Sequence, residues 1–211
     1  MANKAIDKLK ANVLDYISRL DFDGLARSDK DIVTVKIDGE SFLATPMGKM
    51  LKDVTEDDLI VVKKALAEGE YKTIANAYSV REDVNAVVHI YPKNCSIIAN
   101  CGVNVPAVLD DMVQIVGLSA KCVKAENVVG ALKGRNCCFI VKDGIISTGR
   151  TLDEAYTGCL VLEKAAQVYI EVQALGGEKK VGAIGGLLEH IIYKKKYSKI
   201  DQESKMSDVK E

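Results

Sequence analysis

Ala77-Tyr78-Ser79-Val80-Arg81-Glu82-Asp83-Val84-Asn85-Ala86-Val87-Val88-His89-Ile90-Tyr91-Pro92 decides the reading of this chain. Its first residues close a helix over Lys72 to Val80, with Ile74, Ala77 and Tyr78 on one side. Ala86 to Tyr91 is an apolar, branched run suited to a central strand. That strand ends in His89, and residues i and i+2 of a strand share a face, so Tyr91 stands beside the imidazole. A second apolar strand, Cys137 to Val141, runs into Lys142-Asp143-Gly144 and returns as Ile145 to Thr148, which predicts a hairpin or tight strand corner. A titratable side chain at each of two strand ends is the skeleton of a site.

Ile6, Leu9, Val13, Ile17 and Leu20 recur at helical spacing and predict an amphipathic helix over residues 2 to 20. Ile32 to Lys36 and Ser41 to Ala44 flank Asp38-Gly39, a hairpin signal. Thr55 caps a single acidic turn before the apolar strand Leu59 to Val62. Pro106 to Val116 reads as a helix with Pro in its first turn and Gly117 at its end. Thr151-x-x-Glu154 is a capping box, opening a helix to about Leu175 that Gly176-Gly177 ends. One more helix is expected over residues 186–196, before a charged, disordered tail at 197–211. No repeat or linker divides residues 1–196, which are expected to form one domain. Hairpins alternate with helices without strict βαβ order, and the strands are apolar enough for cover on both faces. This pattern predicts an α/β protein with helices on either side of a largely antiparallel or mixed sheet.

Composition narrows the function. A formal net charge of −1, with no basic stripe and interleaved aromatics, argues against a nucleic-acid partner. No run approaches the length of a membrane span, and the N-terminus lacks the apolar core of a signal peptide. Cys95, Cys101, Cys122, Cys137, Cys138 and Cys159 sit inside apolar patterns without Cys-x-x-Cys spacing. They are expected to be free thiols in a cytoplasmic protein, with Cys137 and Cys138 on two faces of one strand.

The order of these motifs resembles the class II aldolase/adducin family over roughly Asp31 to Gly177. Phe42-Leu43-Ala44-Thr45-Pro46-Met47-Gly48 is similar to the family's Ile-Thr-Pro-Ser-Gly segment, and Thr55 to Val62 to the segment that follows it. The stretch from Ala77 to His89 leads into the place of the family's His-x-His, and Asp143-Gly144 into that of its His-Gly. Gly149-Arg150-Thr151-Leu152-Asp153-Glu154-Ala155 resembles the start of its long helix, which Val161 to Ala166 continues. The resemblance implies a three-layer α/β/α sandwich around a mainly antiparallel sheet, assembled as a cyclic homotetramer. It also implies a sugar-phosphate aldolase or epimerase in which three His hold a divalent metal, usually zinc, and a Glu serves as acid/base. Adducin-like members keep the fold without that chemistry.

Carried over residue by residue, the implied metal positions are His89, Tyr91 and Asp143. One imidazole, one phenol and one carboxylate stand where the family has three imidazoles. A phenol has a reference pKa near 10 and must lose its proton before it binds a metal well. The implied acid/base is Glu70, eight residues before Tyr78, in Ala67-Glu68-Gly69-Glu70 where the family has Pro-Ser-Ser-Glu. Of the implied phosphate cradle, Thr45 and Gly48 remain as substrate-binding residues. Asp31 is the nearest counterpart of a phosphate-loop Asn, with Lys30 in place of its Gly. His190 matches no ligand, and Lys194-Lys195-Lys196 suits a helix end.

These departures predict an aldolase-like protein with a degenerate metal site and little or no zinc aldolase activity, whose ligand would be a small sugar or hydroxy-carbonyl compound. The alternative is an active lyase or epimerase with a retuned metal, using His89 and Asp143 as ligands and Glu70 as base.

Overall fold

Alternating side chains along the central strands sort themselves between two cores, one on each face of a sheet. The computed structural model describes residues 2–177. The expected helix over 186–196, the tail at 197–211, His190 and Lys194–Lys196 lie outside the described residues.

In chain order the elements are α1 (Ala2–Phe22), β1 (Ile32–Lys36), β2 (Ser41–Ala44), β3 (Ile60–Lys63), α2 (Gly69–Tyr78), β4 (Ala86–Ile90) and α3 (Lys93–Cys101). They continue with β5 (Val105–Pro106), α4 (Asp110–Ile115), β6 (Ser119–Ala120), β7 (Cys122–Val123), α5 (Val128–Leu132), β8 (Cys137–Ile140), β9 (Ile145–Gly149) and α6 (Leu152–Ala174). Seven strands form one sheet in the order β3-β2-β1-β4-β9-β8-β7. Every junction is antiparallel except the parallel β7–β8 pair. β5 and β6 form a separate antiparallel pair.

Val33, Val35, Val88 and Ile90 face a core shared with Val13, Ile17, Met112 and Leu162 of α1, α4 and α6. Ile32, Val87, Cys138 and Ile146 face a second core with Ile74, Tyr78, Val128 and Leu132 of α2 and α5. The result is the three-layer α/β/α arrangement around a mixed, mostly antiparallel sheet that the sequence predicts. Cys137 and Cys138 do lie on opposite faces, and all six thiols are free. No described helix is long and apolar enough to cross a membrane.

Several expectations need correction. Pro106 does not start a helix: Val105–Pro106 pairs with Ser119–Ala120, and the helix is only Asp110–Ile115. Leu109 is extended and Asp110 and Asp111 occupy the first turn, where acidic side chains favour the positive end of the helix dipole. A Pro needs no ladder donor in so short a pair. Gly117 does end the helix, with φ +129° and its N–H on the Met112 carbonyl at 2.8 Å. α2 starts at Gly69 rather than Lys72, and the strand before it is Ile60–Lys63, one residue later than expected. That strand is also not covered: Ile60 is 40% and Val61 56% exposed. The strand predicted to reach Tyr91 closes at Ile90.

The α6 capping box is half as expected. The Glu154 N–H donates to Thr151 Oγ1 at 3.2 Å, but the Glu154 carboxylate accepts from the Arg150 N–H at 2.8 Å instead of the Thr151 N–H. The sequence reading omits α3, which starts after Pro92 and ends at Gly102 with φ +68°. Its N-terminal amides are satisfied from α6: Glu163 Oε1 accepts from the Asn94 N–H and Nδ2, and Oε2 from the Cys95 N–H, at 2.8–2.9 Å.

Candidate functional site

His89 is the fourth residue of β4, paired with Ile32 of β1 on one side and Ile146 of β9 on the other. Strand alternation puts it on the α2–α5 side of the sheet, at the end of a row of apolar side chains, where it is fully buried. Tyr91 follows on the same side just past the strand. Asp143 arrives from the turn between β8 and β9, where Lys142 has φ +60° and Gly144 +69°. A Cβ on Gly144 would lie 2.3 Å from the Ile90 carbonyl oxygen. Glycine is therefore required for the turn to approach the end of β4 so closely.

The approach lets the three side chains bond one another. His89 Nε2 lies 2.8 Å from the Asp143 carbonyl oxygen and 3.7 Å from Asp143 Oδ2. A carbonyl can only accept, so Nε2 carries a proton and the neutral ring keeps its lone pair on Nδ1. Nδ1 is buried without a hydrogen-bond partner among the described residues. Burial pushes the His89 pKa down, against the opposing pull of the Asp143 carbonyl and carboxylate. The Tyr91 hydroxyl donates to Asp143 Oδ1 at 2.5 Å, a short charge-assisted bond. Burial, and then that bonded carboxylate, push the phenol well above its ordinary range. The His89 and Tyr91 rings lie 5.3 Å apart and inclined by 31°.

Asp31 completes the cluster from the residue before β1. It is fully buried, and its carboxylate accepts from three backbone N–H groups: Arg27 at 2.6 Å, Ser28 at 2.7 Å and Tyr91 at 2.9 Å. Burial raises its pKa to about 6, although those three donors oppose the shift. Sequence reasoning placed Asp31 near a phosphate loop but missed that it anchors the backbone of Tyr91. A buried acidic residue immediately before a strand was the available signal.

The remaining candidates converge from neighbouring elements. Thr45 is buried, with Oγ1 accepting from the Val33 N–H at 3.1 Å and its carbonyl accepting from the Tyr71 hydroxyl at 2.9 Å. The Gly48 N–H donates to the Asp29 carbonyl at 2.7 Å. Both residues thus brace the Asp29–Val33 segment. Glu70 stands half-buried in the first turn of α2, and its charge acts on both His89 and Tyr91. Among the described residues no cluster of three or more His, Cys, Asp or Glu is arranged to hold a metal ion.

Comparison with known proteins gives this geometry a family. The sequence profile described as Class II Aldolase and Adducin N-terminal domain matches residues 12–170. The chain is 26% identical over 181 residues to the 5-methylthioribulose-1-phosphate/5-deoxyribulose-1-phosphate aldolase of Rhodospirillum rubrum, covering 76% of this chain and 80% of that one. It is 24% identical over 185 residues to the L-fuculose phosphate aldolase of Escherichia coli, covering 80% and 86% respectively. Among solved structures, an L-fuculose 1-phosphate aldolase superposes with a TM-score of 0.80 at 19% identity, covering 89% of this chain and 96% of its own. The L-fuculose-1-phosphate aldolase of Thermus thermophilus superposes at 0.69 with the same identity, covering 82% and 99%.

Proposed function

The chain belongs to the class II aldolase and adducin family, and from that premise we propose that it is a sugar-phosphate-aldolase-like protein whose metal site has become a hydrogen-bonded network. It then has little or no family-type zinc aldolase activity, and its ligand is a small sugar or hydroxy-carbonyl compound close to the sugar phosphates named for its relatives. We also propose that it works as a homo-oligomer.

The observation that carries this reading is the Tyr91–Asp143–His89 network. A three-ligand zinc site needs lone pairs free on all three side chains. Here only the imidazole keeps a free lone pair, on Nδ1, while the phenol retains its proton and directs it at the Asp143 carboxylate, so Tyr91 and Asp143 Oδ1 are engaged with each other. These residues do not fit the family's metal as they stand, so no step is derived through one. A retuned metal site on His89 and Asp143, with Glu70 as base, is the second reading, favoured by the unpartnered His89 Nδ1 and by the charge of Glu70 acting on the site.

Metal analysis of protein purified without chelator or metal-affinity tag decides between them. The expected result is well under one zinc per chain. Stoichiometric metal that disappears in His89→Ala would establish the second reading. Retro-aldol turnover on ketose or hydroxy-aldehyde substrates with added divalent metals, abolished by Glu70→Gln, would do the same.

A further inference from the structure

Among the described residues β3 is the edge of the seven-stranded sheet, and it is unusually apolar for one. Ile60 and Val61 are 40% and 56% exposed, and Leu66, just beyond, is 75% exposed. Its outward backbone groups can be assigned. β3 pairs with β2 in the register Lys63 to Ser41 through Ile60 to Ala44, and the Lys64 N–H bonds the Glu40 carbonyl at 2.8 Å. Even-numbered residues of β3 therefore turn their N–H and C=O toward β2. Val61 and Lys63 turn theirs away from the sheet, toward the open edge.

The charge along this segment is antisymmetric. Glu56, Asp57 and Asp58 precede the strand, and Lys63 and Lys64 end it. Lysines on an edge ordinarily block a foreign strand. A strand running antiparallel with the same sequence would instead bring its acidic end to them. We propose that the β3 edge is an interaction surface for a second copy of this chain, joined antiparallel about a twofold axis at Val61.

Only outward-facing residues can exchange backbone bonds, and this fixes the register. Val61 stands opposite Val61 of the second copy as a bonded pair. Ile60 then stands opposite Val62, Leu59 opposite Lys63, and Asp58 opposite Lys64. Shifting by the two residues that preserve the bonding pattern centres the axis on Val62, which sets Asp58 opposite Leu66 and loses the charge match, or on Ile60, which sets Asp57 opposite Lys63 but leaves Ile60 alone of the strand residues facing another strand residue. Asp58 retains 28% side-chain exposure while bound to Lys49 at 2.6 Å, and the Lys64 ammonium holds the Gly39 carbonyl at 2.9 Å. Both charges are thus already held at the edge rather than recruited on docking. The apolar pairs at the centre supply attraction, and the flanking charges supply the choice of partner. The inference rests neither on the metal reading nor on the cyclic tetramer that family resemblance implies.

The test is a cross-link that reports the register. Bonded antiparallel pairs have Cα atoms about 5.5 Å apart, within the roughly 4.4–6.8 Å span of a disulfide. Val61→Cys in a Cys101→Ser background should form a disulfide dimer on mild oxidation at least tenfold faster than Lys52→Cys in the same background. With Val61→Cys present, Asp58→Lys alone and Lys64→Asp alone should each cross-link at least tenfold more slowly, and an equal mixture of the two should recover. Val61→Lys, at an exposed position, should halve the sedimenting mass while the separated chains keep the native far-UV circular dichroism. Val61→Cys no faster than the Lys52→Cys control, or a mass unchanged by Val61→Lys, would overturn the proposal.

Discussion

Replacing Tyr91 and Asp143 by histidine should convert the hydrogen-bonded network into a zinc site, and the gain can be worked out from the bonds that stand in the way. In the native chain zinc must first take the phenol proton. At pH 7 a phenol with the ordinary pKa near 10 pays about 4 kcal/mol for this, and Tyr91 lies above that ordinary value, so the figure is a floor. The Tyr91 hydroxyl must also leave Asp143, a hydrogen bond to a charged group worth about 1.5–3 kcal/mol. His89 adds no such cost, because its Nδ1 lone pair is free while Nε2–H stays on the Asp143 carbonyl. The sum is at least about 5.5 kcal/mol, or about four orders of magnitude in affinity at 1.4 kcal/mol per tenfold. Competition with a chromophoric zinc chelator at pH 7 should therefore show Tyr91→His/Asp143→His binding zinc at least about 10⁴-fold more tightly than the native chain. The native chain should show no tyrosinate absorbance as zinc is added. Native affinity within tenfold of the variant, or a tyrosinate band rising with zinc, would refute the reasoning, because the phenol would then be an available ligand.

Asp31 makes stability depend on pH in an unusual direction. Its folded pKa is raised from 3.8 to about 6, so its stabilising contribution is fully present below pH 3.8 and is lost as pH rises through about 6. Urea unfolding of the native chain and of Asp31→Asn should show the native chain losing about 2 kcal/mol relative to the variant between about pH 4.5 and 7.5; a pH-independent difference would show that Asp31 is not so shifted. Gly144→Ala combines a left-handed φ of +69° with a Cβ 2.3 Å from the Ile90 carbonyl, and should cost more than about 2 kcal/mol, read as a fall in Tm of many degrees. Glu163→Gln leaves an amide N–H facing a backbone donor of α3 and should cost about 1–3 kcal/mol, with amide exchange faster through Asn94 to Ala99 than elsewhere.

Elements whose causes are local were legible in the sequence. The periodicity of α1, the Asp38-Gly39 hairpin, the Thr151 cap and the Gly176-Gly177 stop all act within a few residues, and each feature stands within about two residues of where it was expected. Elements stabilised from a distance were misplaced or missed. α3 begins on Pro92 with no side-chain cap of its own, and its amides are satisfied by Glu163, some 69 residues away. Pro106 satisfies the sequence rule for a first helical turn, but the partner that makes it a strand, Ser119, lies beyond the helix it would have started. At the site, the resemblance brought His89, Tyr91 and Asp143 together correctly. It could not show that Asp143 acts through its backbone carbonyl as well as its carboxylate, because that depends on the turn geometry Gly144 allows.

Under the proposed reading, the same geometry explains how the scaffold could outlast its metal. A cation held by residues at these positions would join the end of β4 to the β8–β9 turn. In the present chain that junction is held by two bonds between His89 or Tyr91 and Asp143, and by the contact of Gly144 with the Ile90 backbone. Asp31 then ties the Tyr91 backbone to the segment before β1. A phenol and a carboxylate are a pair that can close the gap between the strand ends, since one donates and the other accepts. Under that reading, Tyr91 and Asp143 change what cross-links the two strand ends rather than simply removing the link. The same bonds rank two side-chain changes at the site: Tyr91→Phe leaves Asp143 Oδ1 without its donor, whereas Glu70→Gln disturbs no hydrogen bond of the network.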